Sequence, residues 1–246
     1  MPAHLPAGMQ ITWLGHSTFL VTLPNGKRLL LDPWIIGNPS CPPEKKDVGP
    51  IDLMLITHGH SDHISDAVSV AMTTNCQVVA MFEIMVYLTD QGVPAANVQG
   101  MNKGGSVSLP EFGITVTMTH AIHSSGIDAS GARLYGGEAA GIVVTLEDGF
   151  AFYFAGDTAL FSDMALISEL YSPKLAFLPI GDRFTMGPKE AARAVRFLSS
   201  VEMVIPMHYG TFPMLTGTPA DLKAEMAKIG VQAEALTLQA GETLIG

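Results

Sequence analysis

Short apolar runs separated by Gly, Pro and Asn dominate the opening of the chain, and their lengths suit strands rather than helices. Residues 10–14, 19–23 and 28–31 read as three strands. Pro24-Asn25-Gly26 joins the last two, and Asn-Gly suits the positive φ values of a tight hairpin turn. Glu147-Asp148-Gly149 joins residues 142–146 to 150–155 in the same way. The run 53–56 is apolar without alternation, as expected of a strand buried on both faces. Helical spacing follows over 64–71, 82–91, 162–170, 188–199 and 219–229, with Pro188 and Pro219 at first-turn positions that tolerate a missing N–H. Further strands are expected at 78–80, 175–178 and 203–205. A β-rich opening followed by mixed β and α predicts a layered α/β or α+β domain with helices on sheet faces. The Pro-rich stretch 39–50 is the one candidate break, and it reads as a loop at the rim of a single domain spanning 1–246.

Composition narrows the picture. With 48% hydrophobic and 15% charged residues the chain has ample material for a core, and disorder of the whole is excluded. The formal charge of −10 argues against nucleic acid or anionic lipid as a partner. Between Gly104 and Pro173 the only basic residue is Arg133, against eight carboxylates, so no basic patch in that stretch offsets the overall charge. Two cysteines, Cys41 and Cys76, make neither a disulfide framework nor a thiolate zinc site. No apolar run reaches the length of a membrane span, and the first residues do not read as a secretion signal. The expected setting is the cytoplasm. A homo-oligomer is compatible with the sequence but not specified by it.

The chemistry concentrates in Thr57-His58-Gly59-His60-Ser61-Asp62-His63, between the buried run 53–56 and a helix. Ligands collect at the carboxyl ends of strands in open α/β sheets. In extended backbone His58 and His60 share one side, and Gly59 allows close approach to an ion. Three imidazoles and a carboxylate within six residues suit a borderline-soft cation such as zinc. Partners are expected at other strand ends: His120 and His123 in Thr119-His120-Ala121-Ile122-His123-Ser124-Ser125, Asp157 after Ala155-Gly156, and His208 after Pro206-Met207.

The order of these pieces resembles the metallo-β-lactamase superfamily. Within it the chain is similar to the metal-dependent hydrolase branch that includes ascorbate-6-phosphate lactonases and the N-acylphosphatidylethanolamine-hydrolysing phospholipase D. Branch-level matches include Leu14-Gly15-His16-Ser17-Thr18-Phe19, Asp32-Pro33, Met101-Asn102-Lys103-Gly104-Gly105, His123-Ser124-Ser125, Pro179-Ile180-Gly181-Asp182, Thr185-Met186-Gly187-Pro188 and Met207-His208-Tyr209. The resemblance covers essentially the full length. It implies an α+β fold, a four-layer αβ/βα sandwich, with a dinuclear centre of divalent transition metals, zinc first and manganese second. It further implies that His58, His60 and His123 bind one ion and Asp62, His63 and His208 the other, with Asp157 bridging. His123 matches better than His120 because Ser-Ser follows it. Asp32 is expected to support a ligating His. His16 is a candidate for ligand orientation or substrate contact, and His4 is given no role.

Such a site is expected to hydrolyse an ester, lactone or phosphodiester of a small molecule, with hydroxide held between the metals as nucleophile. Asp62 and Asp157 would position it and serve proton transfer, and Tyr209 would donate to the developing oxyanion. Arg183, ahead of the helix expected at 188, could take an anionic group of the substrate. Two other classes are open. Diiron oxidoreductases on this fold typically carry a carboxylate where His60 stands. The other class is a non-catalytic metal-binding or interaction protein on the same fold, and the presence of all seven expected ligands argues against loss of the site. The relatives' bonds differ too widely for the fold to fix the substrate.

Overall fold

A computed structural model describes residues 4–129 and 131–246. In chain order the elements begin with β1 (Gln10–Trp13), β2 (Phe19–Thr22), β3 (Arg28–Leu31), β4 (Leu53–Leu55), α1 (Ser61–Ile64) and α2 (Ala67–Thr74). They continue with β5 (Gln77–Met81), α3 (Phe82–Asp90), β6 (Val98–Met101), β7 (Ser106–Leu109), β8 (Ile114–His120), β9 (Gly126–Ala129) and β10 (Ala132–Tyr135). The remainder is β11 (Ala140–Leu146), β12 (Ala151–Phe154), α4 (Met164–Tyr171), β13 (Leu175–Pro179) and α5 (Pro188–Phe197). Then come β14 (Met203–Met207), α6 (Pro219–Lys228), β15 (Glu234–Ala235) and β16 (Thr243–Ile245).

These elements form two compact units, each discontinuous in sequence. One comprises Leu5–Asn102, Ser124–Ala139 and Leu238–Gly246. Its seven-stranded sheet runs β16-β1-β2-β3-β4-β5-β6, antiparallel as far as β3 and parallel from β3 onward. The expected hairpin is the β2–β3 pair, with Leu20 opposite Leu30. The stretch 39–50 is a loop of this unit, carrying a short 3-10 turn at Pro43–Lys45. The ribbon β9–β10 also belongs here and forms its own two-stranded sheet.

The helix expected over 64–71 is instead two pieces, α1 and α2. The break follows from Asp66, whose carboxylate accepts the backbone N–H groups of Ile35 at 2.5 Å and Ile36 at 3.0 Å. Its own N–H goes to Pro33 O at 3.0 Å. A residue tied at both ends to the loop after β3 cannot continue a straight helix, so Asp62 and His63 sit on a single isolated turn.

The other described unit holds residues Lys103–His123 and Ala140–Thr237, with the order β15-β14-β13-β12-β11-β8-β7. Here β12 to β15 are parallel and β12 to β7 antiparallel. One face carries Tyr153, Ala176, Leu178 and Val204, packed with Met164 and Ile167 of α4, Val195 of α5, and Leu222 and Met226 of α6. Phe152, Phe154 and Phe177 alternate with these residues, are fully buried, and meet edge to face at 5.7–5.8 Å. Burial on both faces is the reason these strands read as unbroken apolar runs. Pro188 and Pro219 open α5 and α6 as expected, and Thr218 caps α6 by accepting the Asp221 N–H at 3.1 Å.

Sequence reading missed β6, β7, β15 and β16, which are short edge or near-edge strands, and the ribbon, whose β10 is exposed at every residue. Among the described residues no helix is long and apolar enough to cross a membrane.

Close backbone approach fixes one glycine beside the strand end that carries His208. A Cβ at Gly181 would overlap the carbonyl oxygen of His208 and come within 3.2 Å of Leu215 Cβ. Gly181→Ala should therefore lower the melting temperature by about 5 °C or more, given the usual cost of overpacking a rigid site. Thermal unfolding followed by circular dichroism measures this, and an unchanged transition would show that the His208 backbone can yield.

Candidate metal centre

The unit containing β4 presents its donors at the carboxyl ends of adjacent parallel strands. β3 and β4 are paired, so Asp32 and Thr57 emerge side by side, and Asp32 N–H donates to Leu55 O at 3.0 Å. Asp32 is fully buried and turns into positive φ at 44°. Its carboxylate accepts the Thr57 N–H at 2.8 Å, the Thr57 hydroxyl at 2.6 Å and His63 Nδ1–H at 2.7 Å. Burial pushes the Asp32 carboxyl above its ordinary range, and the bonds from His63 and Thr57 act in the opposite direction.

This network assigns ring protons. Thr57 gives its single hydroxyl proton to Asp32, so its oxygen accepts from His58 Nδ1–H at 3.0 Å. His58 therefore directs the Nε2 lone pair outward, and His63, donating through Nδ1, does the same. His58 Nε2 lies 3.1 Å from His60 Nδ1, while His60 Nε2 meets Ser124 Oγ at 3.2 Å. Two nitrogens bound tetrahedrally to one zinc at about 2.0–2.1 Å stand about 3.3 Å apart, so the His58–His60 spacing fits a shared ion.

Asp62, on the isolated turn α1, lies 3.9 Å from His63 Nε2 and 3.0 Å from His16 Nε2 through the same Oδ2. Donor atoms of His16, Asp62 and His63 all fall within 4.8 Å of one another. His16 is fully buried, holds φ at 55°, and packs edge-on against Trp34 with ring centroids 5.1 Å apart.

In the unit containing β12, Gly156 at φ 59° swings the chain after β12 so that Asp157 is buried at the strand end. Asp157 Oδ2 lies 3.0 Å from His208 Nε2 and 3.5 Å from His123 Nε2. His208, after β14, is another non-glycine residue at positive φ, 54°. His120 is exposed and engaged elsewhere: Lys103 Nζ donates to its Nδ1 at 3.1 Å, and its ring meets Phe161 edge-on at 5.2 Å. Asp157, His123 and His208 thus come together, and His120 turns away from them. Tyr209 is half-buried against the core of this unit, and burial pushes its phenol up to about 12. Arg183 is exposed ahead of α5, with φ 56° and its guanidinium 5.9 Å over the Phe184 ring.

Sequence reasoning named most of these side chains but missed Thr57, which links Asp32 to His58, and gave Ser124 no role. A threonine before a histidine carries no local signal; its function exists only because β3 and β4 are neighbours.

Comparison with known proteins identifies the family. A family profile described as "Beta-lactamase superfamily domain" matches residues 27–209. The chain is 48% identical over 245 residues to a UPF0173 metal-dependent hydrolase of Rubrobacter xylanophilus, covering 99% of each chain. It is 52% identical over 234 residues to one of Solibacter usitatus, covering 95% of this chain and 98% of the relative. Among solved structures it is similar to Igni18, described as a novel metallo hydrolase from Ignicoccus hospitalis, with TM-score 0.85 and 36% identity over 97% of this chain and 98% of that one. On these grounds the chain has the layered α+β fold of the metallo-β-lactamases, and belongs to that superfamily and, within it, to the UPF0173 family of metal-dependent hydrolases.

Proposed function

We propose that this protein hydrolyses an ester, lactone or phosphodiester bond of a small molecule with two divalent transition metals, zinc in the first instance. His58, His60 and His123 would hold one ion and Asp62, His63 and His208 the other, with Asp157 serving both. The observation that carries this reading is the set of far-side anchors. Asp32 holds His63, Thr57 holds His58 and Ser124 meets His60, so each ring can offer its other nitrogen as a ligand. A purely structural histidine cluster does not need every far nitrogen held in this way.

Bound there, the metals would supply a water that ionises near neutral pH and positive charge for the oxygen that becomes anionic. Asp62 and Asp157 orient the attacking water. Asp62, held by His16, carries the proton lost by the water to the leaving oxygen as the scissile bond opens. Tyr209 keeps its proton at neutral pH, because burial pushes its phenol up to about 12, and so donates a hydrogen bond to the developing oxyanion. Arg183, exposed ahead of α5, serves an anionic substituent of the substrate.

Native mass spectrometry after reconstitution with zinc or manganese should give two ions per chain; none bound after both would reject the reading. Asp62→Ala and Asp157→Ala should each lower turnover by at least about 100-fold. His120→Ala should retain both ions and most activity, and loss of an ion from His120→Ala but not from His123→Ala would reverse their roles. Asp32→Ala strands Thr57 and His63 in a buried site and should cost about 3 kcal/mol or more of stability, read by urea unfolding. A panel of chromogenic esters, lactones, phosphodiesters and β-lactams identifies the bond. Arg183→Ala should raise KM for anionic members more than for neutral ones of similar size, and equal effects would remove Arg183 from the site.

A further inference from the structure

The segment following His123 runs directly against the loop that carries His58 and His60. Ser124 Oγ lies 3.2 Å from His60 Nε2, and Ser125 Oγ accepts the Gly59 N–H at 3.1 Å. Ser125 is itself fixed: its hydroxyl donates to Gly136 O at 3.0 Å, and its carbonyl accepts the Gly136 N–H at 2.8 Å. Gly136 follows the ribbon, so Ser125 closes the ribbon's base. From that base Ile127 of β9 reaches inward and is only 1% exposed, although all of β10 is exposed. Its Cγ1 stands 2.5 Å from where a Cβ on Gly59 would be. Gly59 is not at positive φ, so what excludes a side chain there is this contact and not backbone strain.

We infer that Ser124, Ser125 and Ile127 form a clamp that sets how His60 presents Nδ1 to its metal, with Ser124 as the positioning residue. This rests on the reading of His60 as a ligand. His58 and His60 are separated by a single residue, and a peptide of three residues has several ways to splay its two rings. Ser125 and Ile127 remove that freedom by holding Gly59 from its N–H side and its α-carbon side. Ser124 then acts on the ring. A hydroxyl both donates and accepts, so it can accept from His60 Nε2–H when Nδ1 carries no proton, which is the tautomer that binds a metal through Nδ1. An alanine offers no such partner. The expected size of the effect is that of other groups hydrogen-bonded to ligands, about 10–100-fold in metal affinity.

The test is zinc affinity of the full chain, measured by competition with a chromophoric chelator. Ser124→Ala should weaken zinc binding at the His58–His60 site by about 10–100-fold, and Ser124→Thr, which keeps the hydroxyl, should stay within about 3-fold of the parent. Gly59→Ala should weaken binding as well, and adding Ile127→Ala should recover part of that loss by making room for the methyl group. His60→Ala is the control for the reading beneath: zinc affinity equal to the parent's would reject His60 as a ligand, whatever the serine variants do. If His60→Ala weakens binding while Ser124→Ala does not, the clamp is rejected and the ligand set stands. A measurement without substitutions decides the case should a variant not fold. In the zinc-loaded protein the ¹⁵N spectrum of His60 should show the proton on Nε2; a proton on Nδ1 would overturn the inference.

Discussion

A buried carboxylate is the constraint around which the β4 side of this molecule is arranged. Asp32 is removed from water completely, and a carboxylate in that position is tolerated only when its oxygens are filled by donors. Three donors fill them: the N–H and hydroxyl of Thr57 and the ring of His63. Each of those bonds has a consequence beyond charge. The two from Thr57 lock the end of β4 against the end of β3, and the hydroxyl bond forces the proton of His58 onto Nδ1. The third sets the tautomer of His63. One side chain thereby fixes two candidate ligands and the junction of two strands.

The second regularity is where the backbone is strained. His16, Asp32 and His208 adopt positive φ, a conformation that costs a non-glycine residue of order 1–3 kcal/mol and persists only where surroundings enforce it. All three lie at strand ends or at the β1–β2 corner beside candidate ligands. Asn75 and Ser172 also have positive φ, but they end helices, where a left-handed residue is ordinary. Strain that is not explained by helix capping therefore gathers at the proposed chemistry, together with Asp182 and Arg183 ahead of α5.

Both sheets share one design. Each is antiparallel on one side and parallel on the other, and the strand in the middle position marks the change. Asp32, His58, Asp157 and His208 all follow interior strands with at least one parallel neighbour, so they lie beyond the carboxyl ends of those strands, where ligands collect in open sheets. β13 separates β12 from β14 and itself ends in Pro179, without a donor of its own. Asp157 and His208 can then approach across its end to 3.0 Å.

The amino-acid sequence by itself determined the strands and helices that are buried on both faces or open with proline, because burial and φ restriction act on residues close in the chain. It also displayed the candidate ligands, since the run His58-Gly59-His60-Ser61-Asp62-His63 and the strand-ending Asp157 and His208 are visible without any fold. Three things belonged to the tertiary structure. The helix expected over 64–71 broke in two because Asp66 is claimed by Ile35 and Ile36, some thirty residues away. The distinction between His120 and His123 became geometric only when one met Lys103 and the other Asp157. The partners that set each histidine's proton, Asp32, Thr57 and Ser124, are chosen by strand adjacency and by a ribbon whose exposed residues carry little hydrophobic pattern. Spacing along the chain can name a ligand, but a hydrogen bond between residues 31 or 64 positions apart exists only once the sheet has brought them together.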